Sequence, residues 1–358
     1  MIGAFVAGCV LEPVPIDGLA CPCAAPYVCD EAASRCVERL VTVCGRARVS
    51  AGSIDLSTFE RSWVTPEQAG VRWALEDPSV VSELQIDLAA SATAMDEGDF
   101  ETIDGEVNPE LGRPFLLRTS GSDPVLSTVL RDLAPDTAYA VRLVVIDRGG
   151  RVSCSDDVPL RTNLAPTDAI ELFEESLPPG ARLRPICTGS TLAIDPATAH
   201  EGEASIAHTF LCARAGDATT SVCTEPAELG AECWENVGFE SASIDAQRLS
   251  AGDFDSAFVE VAVAIDDTST AFWSEADLRV GADLYRISRF TLVADGTYHR
   301  YQLPLSALRR ACYDDPPGCT WNEPLALAAL SESIGGFRVG TTLSHGARLS
   351  VDSIFLRW

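Results

Sequence analysis

Residues 133–145 read Leu-Ala-Pro-Asp-Thr-Ala-Tyr-Ala-Val-Arg-Leu-Val-Val, and this stretch decides the fold of the first half of the chain. From its Tyr onward it alternates large apolar residues with others, which is the period-two pattern of a β-strand with one buried face. The stretches Val71–Leu75 and Leu84–Leu88 repeat this alternation. Short alternating strands separated by polar turns predict an antiparallel β-sandwich over residues 41–163.

The same stretch resembles the corner between the E and F strands of fibronectin type III domains, whose pattern is Leu-x-Pro-x-Thr-x-Tyr-x-Val. All five elements are present, as Leu133, Pro135, Thr137, Tyr139 and Val141. The resemblance implies that the Pro turns the chain between two sheets. It also implies that the Tyr folds its hydroxyl back onto the corner backbone.

Three further expectations concern this segment, and the first of them follows from the resemblance. Trp73 stands where the family keeps its core Trp on the second strand. Cys44 lies near the first strand and Cys154 near the last, so we expect a Cys44–Cys154 bridge that locks two neighbouring edges of the sandwich. The acidic stretch Met95–Asp104 does not match the spacing of an EF-hand loop, and it is predicted to be a solvated loop.

Bulk composition bounds the class of protein. The chain has 358 residues, 46% of them apolar, which predicts two or three domains with real cores. Its net charge of −27 repels nucleic acid, which is therefore excluded as a partner. Thirteen Cys are many for a reducing cytosol, and they favour disulfides in an oxidising compartment. We expect an extracellular or outer-surface location and a monomer.

The N-terminal stretch Val6-Ala-Gly-Cys9 resembles the lipobox of bacterial lipoproteins, in which the Cys is lipidated. Residues 1–20 would then be a signal-peptide remnant followed by a tether, and this lipid would be the only membrane contact. The apolar stretch is short and lacks a basic region, so we expect the true start codon to lie upstream. A chance Cys at an apolar terminus is the alternative. Removing Cys9 leaves an even number of Cys for pairing.

Residues 21–40 form a candidate Cys-rich knot. Its four Cys are Cys21, Cys23, Cys29 and Cys36. A segment this short cannot bury a core, so covalent bridges must hold it. A zinc site is the alternative, but the usual pairs of Cys separated by two to four residues are absent and no His is near. The segment resembles the small knots that precede adhesion domains in bacterial surface proteins.

Residues 169–358 contain many strand patterns and few helical ones, which predicts a second sandwich. Four features follow the order found in the galactose-binding-like β-jelly-roll of carbohydrate-binding modules. These features are Phe173-Glu174, Gly202-x-x-Ser205, the strand Tyr298–Leu305 and Asp352 in the last strand. The resemblance implies an all-β protein with a Cys-rich knot, a fibronectin-like sandwich and a C-terminal jelly roll.

The resemblance also implies a candidate calcium site. In that family an opening acid, an acid near the Gly-x-x-Ser loop and the last-strand Asp share a structural Ca²⁺. By position these are Glu174, Glu201 and Asp352. Carboxylate oxygens suit Ca²⁺, which takes six to eight ligands. The alternative is that these acids are exposed ends of strands.

Sugar binding would require exposed aromatic rings with polar partners. The candidates are Trp234, Trp273, Tyr285, Tyr313 and Trp321. Core packing is the alternative for each ring. Trp273 and Trp321 lie in loop-like stretches and are the better candidates. The remaining Cys of this segment, expected to form bridges, are Cys187, Cys212, Cys223, Cys233, Cys312 and Cys319.

No catalytic motif is found. A G-x-S-x-G elbow and a P-loop are absent, and His200-Glu201 lacks the second zinc ligand because position 204 is Ala. We therefore expect a non-catalytic surface protein whose fibronectin-like spacer presents a jelly roll to polysaccharide or another cell-surface component. The alternatives are a structural or protein-interaction component without a sugar site, and an unrecognised polysaccharide-active enzyme.

Overall fold

The computed structural model describes residues 27–30, 35–38, 40–77, 80–103, 125–183, 192–200, 204–209, 232–266, 274–290, 292–312, 320, 322–344 and 346–358. Within these ranges the chain forms twenty-four strands and one α-helix, and every pairing between strands is antiparallel. The all-β fold class is confirmed. No helix of the described ranges is long and apolar enough to cross a bilayer.

The predicted Cys-rich knot contains a small hairpin. Strand β1 (Tyr27–Asp30) pairs with β2 (Arg35–Glu38), and the register places Cys29 directly opposite Cys36. Cys21 and Cys23 lie outside the described residues.

The first sandwich has three sheets built from ten strands. These are β3 (Leu40–Val43), β4 (Arg46–Ser50), β5 (Glu60–Val64), β6 (Ala69–Ala74), β7 (Val81–Ala89), β8 (Glu101–Ile103), β9 (Val125–Leu130), β10 (Ala138–Asp147), β11 (Val152–Cys154) and β12 (Val158–Arg161). One sheet has the order β5-β6-β9. The other has the order β11-β10-β7-β8, with β12 also on β10, and β3-β4 is a separate hairpin. The predicted alternation holds, because Val71, Trp73, Ile86 and Val141 point into one shared core.

The corner before β10 has the expected hydrogen bond. The backbone N–H of Ala134 donates to the hydroxyl oxygen of Tyr139 at 2.9 Å. Leu133 is buried in the core beside this turn. The corner is further closed by Thr162, whose hydroxyl donates to the carbonyl of Ala134 at 2.6 Å.

Replacing Tyr139 with Phe will remove this hydrogen-bond acceptor while keeping the ring. We expect the free energy of unfolding to fall by about 1 kcal/mol, since that is the usual net worth of one such bond. Denaturant unfolding measures the change. A Tyr139→Phe protein as stable as wild type would show that the hydroxyl does not hold the corner.

The Cys44–Cys154 disulfide is present, with the two Cα atoms 6.0 Å apart. Contrary to the expectation from the sequence, the bridge does not join two neighbouring edges of the sandwich. Cys44 and Gly45 have φ of +57° and +72°, so they form the tight turn of the β3–β4 hairpin. This hairpin packs on the outer side of the second sheet, where Cys44 contacts Val144 and Val152. The bridge therefore ties a hairpin tip onto the sheet surface.

The acidic stretch after β7 is partly helical, which corrects the prediction of a solvated loop. Helix α1 spans Ala92–Glu97, and the side chain of Ser91 caps its N-terminus by accepting from Ala94 N. Met95 is fully buried with Ala89 and Ala140 on the outer side of the second sheet. Burial of an apolar side chain explains why an acidic sequence is held in a fixed turn here.

The second sandwich is built from twelve strands. They are β13 (Ala169–Phe173), β14 (Arg182–Leu183), β15 (Leu192–Asp195), β16 (Ser205–Thr209), β17 (Glu232–Ile244), β18 (Phe258–Asp266), β19 (Ser274–Val280), β20 (Asp283–Phe290), β21 (Tyr298–Pro304), β22 (Arg309–Arg310), β23 (Ile334–Ser344) and β24 (Arg348–Arg357). Short 3₁₀ turns lie at Pro196–Thr198, Leu305–Ala307 and Leu327–Ser331.

Two six-stranded sheets enclose the core of this sandwich. The back sheet has the order β15-β16-β24-β18-β21, with β13 also on β24, and the front sheet has the order β14-β17-β23-β19-β20-β22. Val261 and Val351 of the back sheet meet Phe239, Leu278 and Phe337 of the front sheet in one apolar cluster. Burying this many large side chains supplies most of the stability of such a sandwich.

Candidate functional site

The structure tests one of the five aromatic candidates. Tyr285 lies in the core of the second sandwich with 6% of its surface exposed, so it is not an exposed sugar platform. This corrects the prediction for Tyr285. Burial raises the pKa of its hydroxyl, and the nearby Asp283 carboxylate raises it further. Trp273, Tyr313 and Trp321 lie outside the described residues, as does the side chain of Trp234.

The predicted calcium ligands do not all fall within the described residues. Asp352 is fully buried, and its two carboxylate oxygens accept backbone N–H bonds from His200 and Ser353, each at 2.7 Å. Glu174 is half-buried after β13, while Glu201 lies outside the described ranges. No described group of three or more acidic, His or Cys residues could hold a metal ion. The calcium site stays a prediction.

Among the other predicted bridges, Cys312 is disulfide-bonded. Cys187, Cys212, Cys223 and Cys319 lie outside the described residues, as does the side chain of Cys233. The lipidation site Cys9 lies outside them too.

The front sheet carries a polar surface that the sequence-based search did not single out. Strand β19 points Ala276 and Leu278 into the core, so the residues between and beside them face the other way. We call this outward side the front face. Its described polar residues include, on four adjacent strands, Asn236 and Glu240 of β17, Arg338 of β23, Glu275 and Asp277 of β19, and Arg286 of β20.

An ion-pair network occupies the middle of the front face. Asp277 has 2% of its surface exposed and accepts from two Arg side chains. Arg286 donates to it through Nε at 2.6 Å and Nη2 at 3.0 Å, and Arg338 through Nη2 at 2.8 Å. Arg286 also pairs with Glu275. The bidentate, charge-assisted contact fixes the plane of the Arg286 guanidinium, and a single charge-assisted bond holds that of Arg338.

The network is balanced in charge. Two carboxylates, Glu275 and Asp277, face two guanidinium groups, Arg286 and Arg338. Arg338 remains partly exposed, with 23% of its side chain accessible, so it can also meet a ligand. The arrangement can offer directional donors and acceptors to a polar ligand, and its carboxylates are already engaged by Arg.

A strip without side chains lies beside this network. Gly238, Gly336 and Gly340 share the outward parity of Asn236 and Arg338 on strands β17 and β23. A Cβ on Gly238 would lie 2.1 Å from the carbonyl oxygen of Phe337, and one on Gly336 would lie 2.5 Å from that of Phe239. The backbones approach too closely for side chains. All three positions are buried in this structure. Gly at such strand positions often marks a place where a ligand or another backbone approaches closely.

Trp234 belongs to the same strand. It pairs with Thr342 in the register of β17 and β23, and it stands two residues before Asn236. By strand alternation, this position therefore belongs to the same side of β17 as Asn236 and Gly238. Strand alternation could have drawn attention to this face, because acidic or Arg residues alternate with apolar ones along β19 and β20.

Comparison with known proteins gives similarity at the level of solved structures only. No family model matches the sequence, and no curated protein matches it significantly. One similar structure was described as the structural basis for the promiscuous specificity of carbohydrate-binding modules from the β-sandwich superfamily. It is 12% identical with a TM-score of 0.25, covering 85% of this chain and 96% of that one.

Two further structures give similar values. A family 30 carbohydrate-binding module is 11% identical with a TM-score of 0.29, over 53% of this chain and 87% of that one. An exo-β-agarase is 12% identical with a TM-score of 0.30, over 52% of this chain and 25% of that one. These scores are too low to carry an argument about function. The chain is thus similar to carbohydrate-binding β-sandwich modules, and no family is assigned to it.

Proposed function

We propose that the protein is a non-catalytic binding protein that takes up a polysaccharide on the front face of its second sandwich. The observation that carries this proposal is the Asp277–Arg286–Arg338 network beside the bare strip of Gly238, Gly336 and Gly340. Sugar hydroxyls both donate and accept hydrogen bonds, so they match a surface that presents carboxylate, guanidinium and amide groups together.

Rigidity favours binding at this face. The guanidinium groups of Arg286 and Arg338 are already oriented by Asp277, so less side-chain entropy is lost when a ligand engages them. The glycine strip has no side chains that would hold a sugar ring away from the sheet. Sites of this kind combine a few fixed polar groups with flat contact area. Trp234 stands on β17 at a position with the same parity as Asn236 and Gly238, so it is the aromatic candidate that fits this arrangement.

Binding is favoured over hydrolysis because the carboxylates of Glu275 and Asp277 are already paired with Arg. A glycosidase needs one carboxyl group as acid and another as base or nucleophile. Glu275 and Asp277 are instead both engaged by Arg286. Hydrolysis of the bound polysaccharide would replace the proposal with the enzyme alternative. Binding to a protein partner but to no polysaccharide would favour the protein-interaction alternative.

We further propose that the first sandwich is of the fibronectin type III kind. Its three-stranded sheet β5-β6-β9 faces a sheet ordered β11-β10-β7-β8, and the Tyr139 hydroxyl closes the corner. The proposed location is the cell exterior, with attachment through lipidated Cys9. Mass spectrometry of the protein from its native host would detect the acyl group, and an unmodified Cys9 would contradict the anchor.

Replacing Arg338 with Ala will weaken polysaccharide binding by about tenfold or more, because one charged hydrogen-bonding group at the surface of the network is lost. The measurement is affinity electrophoresis of the full chain against neutral and acidic polysaccharides, with and without Ca²⁺. Arg161→Ala is the matched control, since it removes an exposed Arg paired with Asp136 in the first sandwich.

Three results bear on this proposal. Retention of binding by the folded Arg338→Ala protein would exclude the front face. Equal weakening in the Arg161→Ala protein would show a nonspecific charge effect. Absence of wild-type binding to every polysaccharide, in either condition, would overturn the proposed function.

A further inference from the structure

The turn between β5 and β6 of the first sandwich contacts the second sandwich. This turn, Thr65–Gln68, is rigid: Thr65 N donates to the carbonyl of Gln68 at 2.9 Å, and Gln68 N donates to the Thr65 hydroxyl at 3.1 Å. Leu133 N donates to the carbonyl of Glu67 at 3.0 Å, which ties the turn to the E–F corner. The turn therefore presents its side chains in fixed positions.

Gln68 binds the backbone of strand β21. Its amide nitrogen donates to the carbonyl of Arg300 at 2.6 Å, and its amide oxygen accepts from the N–H of Gln302 at 3.0 Å. Among the described residues, strand β21 is the last strand of the back sheet, so no described strand pairs with these two backbone groups. One side-chain amide thus satisfies both groups, as an added strand would.

The contact is reciprocal. The amide oxygen of Gln302 accepts from Glu67 N at 3.1 Å, and its nitrogen donates to Glu260 at 3.2 Å. Glu260 also accepts from Arg357 at 2.8 Å. Gln302 and Gln68 have only 2% and 5% of their surfaces exposed. Buried polar groups that are all satisfied hold one specific arrangement, because any shift would leave some of them unpaired.

Apolar contacts surround this polar pair. Val129 of β9 is part of the core cluster of the second sandwich, and Trp63 of β5 packs against that cluster. The Trp63 ring lies over Gly70, where a Cβ would come within 2.3 Å of its Nε1. The guanidinium of Arg131 stacks 4.5 Å from the centre of the Tyr301 ring. The part of the outer side of β5-β6-β9 around Trp63 and Gly70 is thereby covered.

The connection between the sandwiches is also fixed at both ends. Asn163 N donates to the carbonyl of Thr65 at 3.2 Å. At the other end, Thr167 N donates to the carbonyl of Trp358 at 2.8 Å, and Arg248 forms a double hydrogen bond with Asp168. Only residues 164–166 lie between these anchored points. So short a stretch does not act as a flexible linker.

We propose that the two sandwiches form one rigid unit, in which Gln68 of the first sandwich caps the edge strand β21 of the second. The first sandwich is then a structural part of the binding module and not a movable spacer. This inference does not depend on the identity of the ligand.

The test is amide hydrogen exchange in the full-length protein, comparing wild type with Gln68→Ala. The Gln302 amide should exchange at least about tenfold faster in the variant, the factor that corresponds to losing one buried hydrogen bond. The Val261 amide, inside the back sheet, should be unchanged. Gln247→Ala is the matched control, because Gln247 is exposed and far from β21 in the chain. Wild type should unfold in a single cooperative transition.

Unchanged exchange of Gln302 in the folded Gln68→Ala protein would overturn the proposal. Separate unfolding of the two sandwiches in the wild type would overturn it as well. Should Gln68→Ala not fold, Gln68→Asn keeps a polar group at the position but shortens it by one methylene. Faster exchange of Gln302 in Gln68→Asn would support the proposal, and wild-type exchange would contradict it.

Discussion

Replacing Asp277 with Ala will lower the free energy of unfolding by about 3–5 kcal/mol, the range measured when one partner of a buried ion pair is removed. Asp277 has 2% of its surface exposed and is the shared acceptor of Arg286 and Arg338. Without it, Arg286, whose side chain is only 12% exposed, keeps its charge and its pair with Glu275 but loses the bidentate bond to Asp277. The desolvation of the guanidinium is then offset less fully.

Denaturant unfolding of the full chain measures this loss. Asp277→Asn keeps the size of the side chain and one acceptor oxygen, so we expect a smaller loss than for Ala. Glu60→Ala is the control on the other sandwich, where the pair with Arg72 is exposed and removal should change stability by less than about 1 kcal/mol. Equal stability of wild type and Asp277→Ala would mean that the network contributes nothing to the front sheet.

Polysaccharide binding by Asp277→Asn separates the positioning role of the network from its contribution to stability. If Asp277 positions the two Arg side chains, Asp277→Asn will bind more weakly than wild type even at temperatures where it is fully folded. Undiminished binding by folded Asp277→Asn would contradict the positioning role while leaving the stability prediction intact.

Removing the Cys44–Cys154 bridge will have an effect of similar size. The two Cys are 110 residues apart, and closing a loop of about 100 residues restricts the unfolded chain by roughly 4.7 kcal/mol in the loop-entropy model. Measured values for natural bridges are about 2–5 kcal/mol. We therefore expect Cys44→Ala/Cys154→Ala to unfold at a markedly lower denaturant concentration.

The comparison requires oxidised protein, because other Cys also form bridges. Reductant should destabilise the wild type by more than it destabilises the double variant, since the variant no longer has this bridge to lose. A double variant with an unchanged unfolding midpoint would show that the hairpin is held by Val144 and Val152 alone.

Local signals allowed the fold class to be predicted. The alternation in β6 and the corner at Tyr139 are contained within a few residues, so the sequence shows them directly. The signals of helix α1 were also present, as Ser91 at its N-cap and Gly98 in the left-handed conformation after it. The helix was missed because the acidic residues of the stretch suggested a loop.

The candidate site could not be predicted in the same way. Alternation indicates that Asp277 and Arg338 face away from the core, but the pair is 61 residues apart in the chain. Which outward residues become neighbours depends on strand order and register, which no local pattern specifies. The Gln68–Gln302 contact spans 234 residues and has no sequence pattern at all. Tyr285 was misassigned because a strand Tyr looks the same whether its face is inward or outward.

The position of the Cys44–Cys154 bridge has a mechanical consequence. A pull applied between a point before Cys44 and the second sandwich passes through the sulfur–sulfur bond to Cys154. The intervening 110-residue loop is bypassed and carries no tension. Within the first sandwich, this pull can extend only the stretch from Cys154 to Asn163. That stretch spans at most about 30 Å when fully extended. Drag on a bound ligand would therefore leave most of the first sandwich folded.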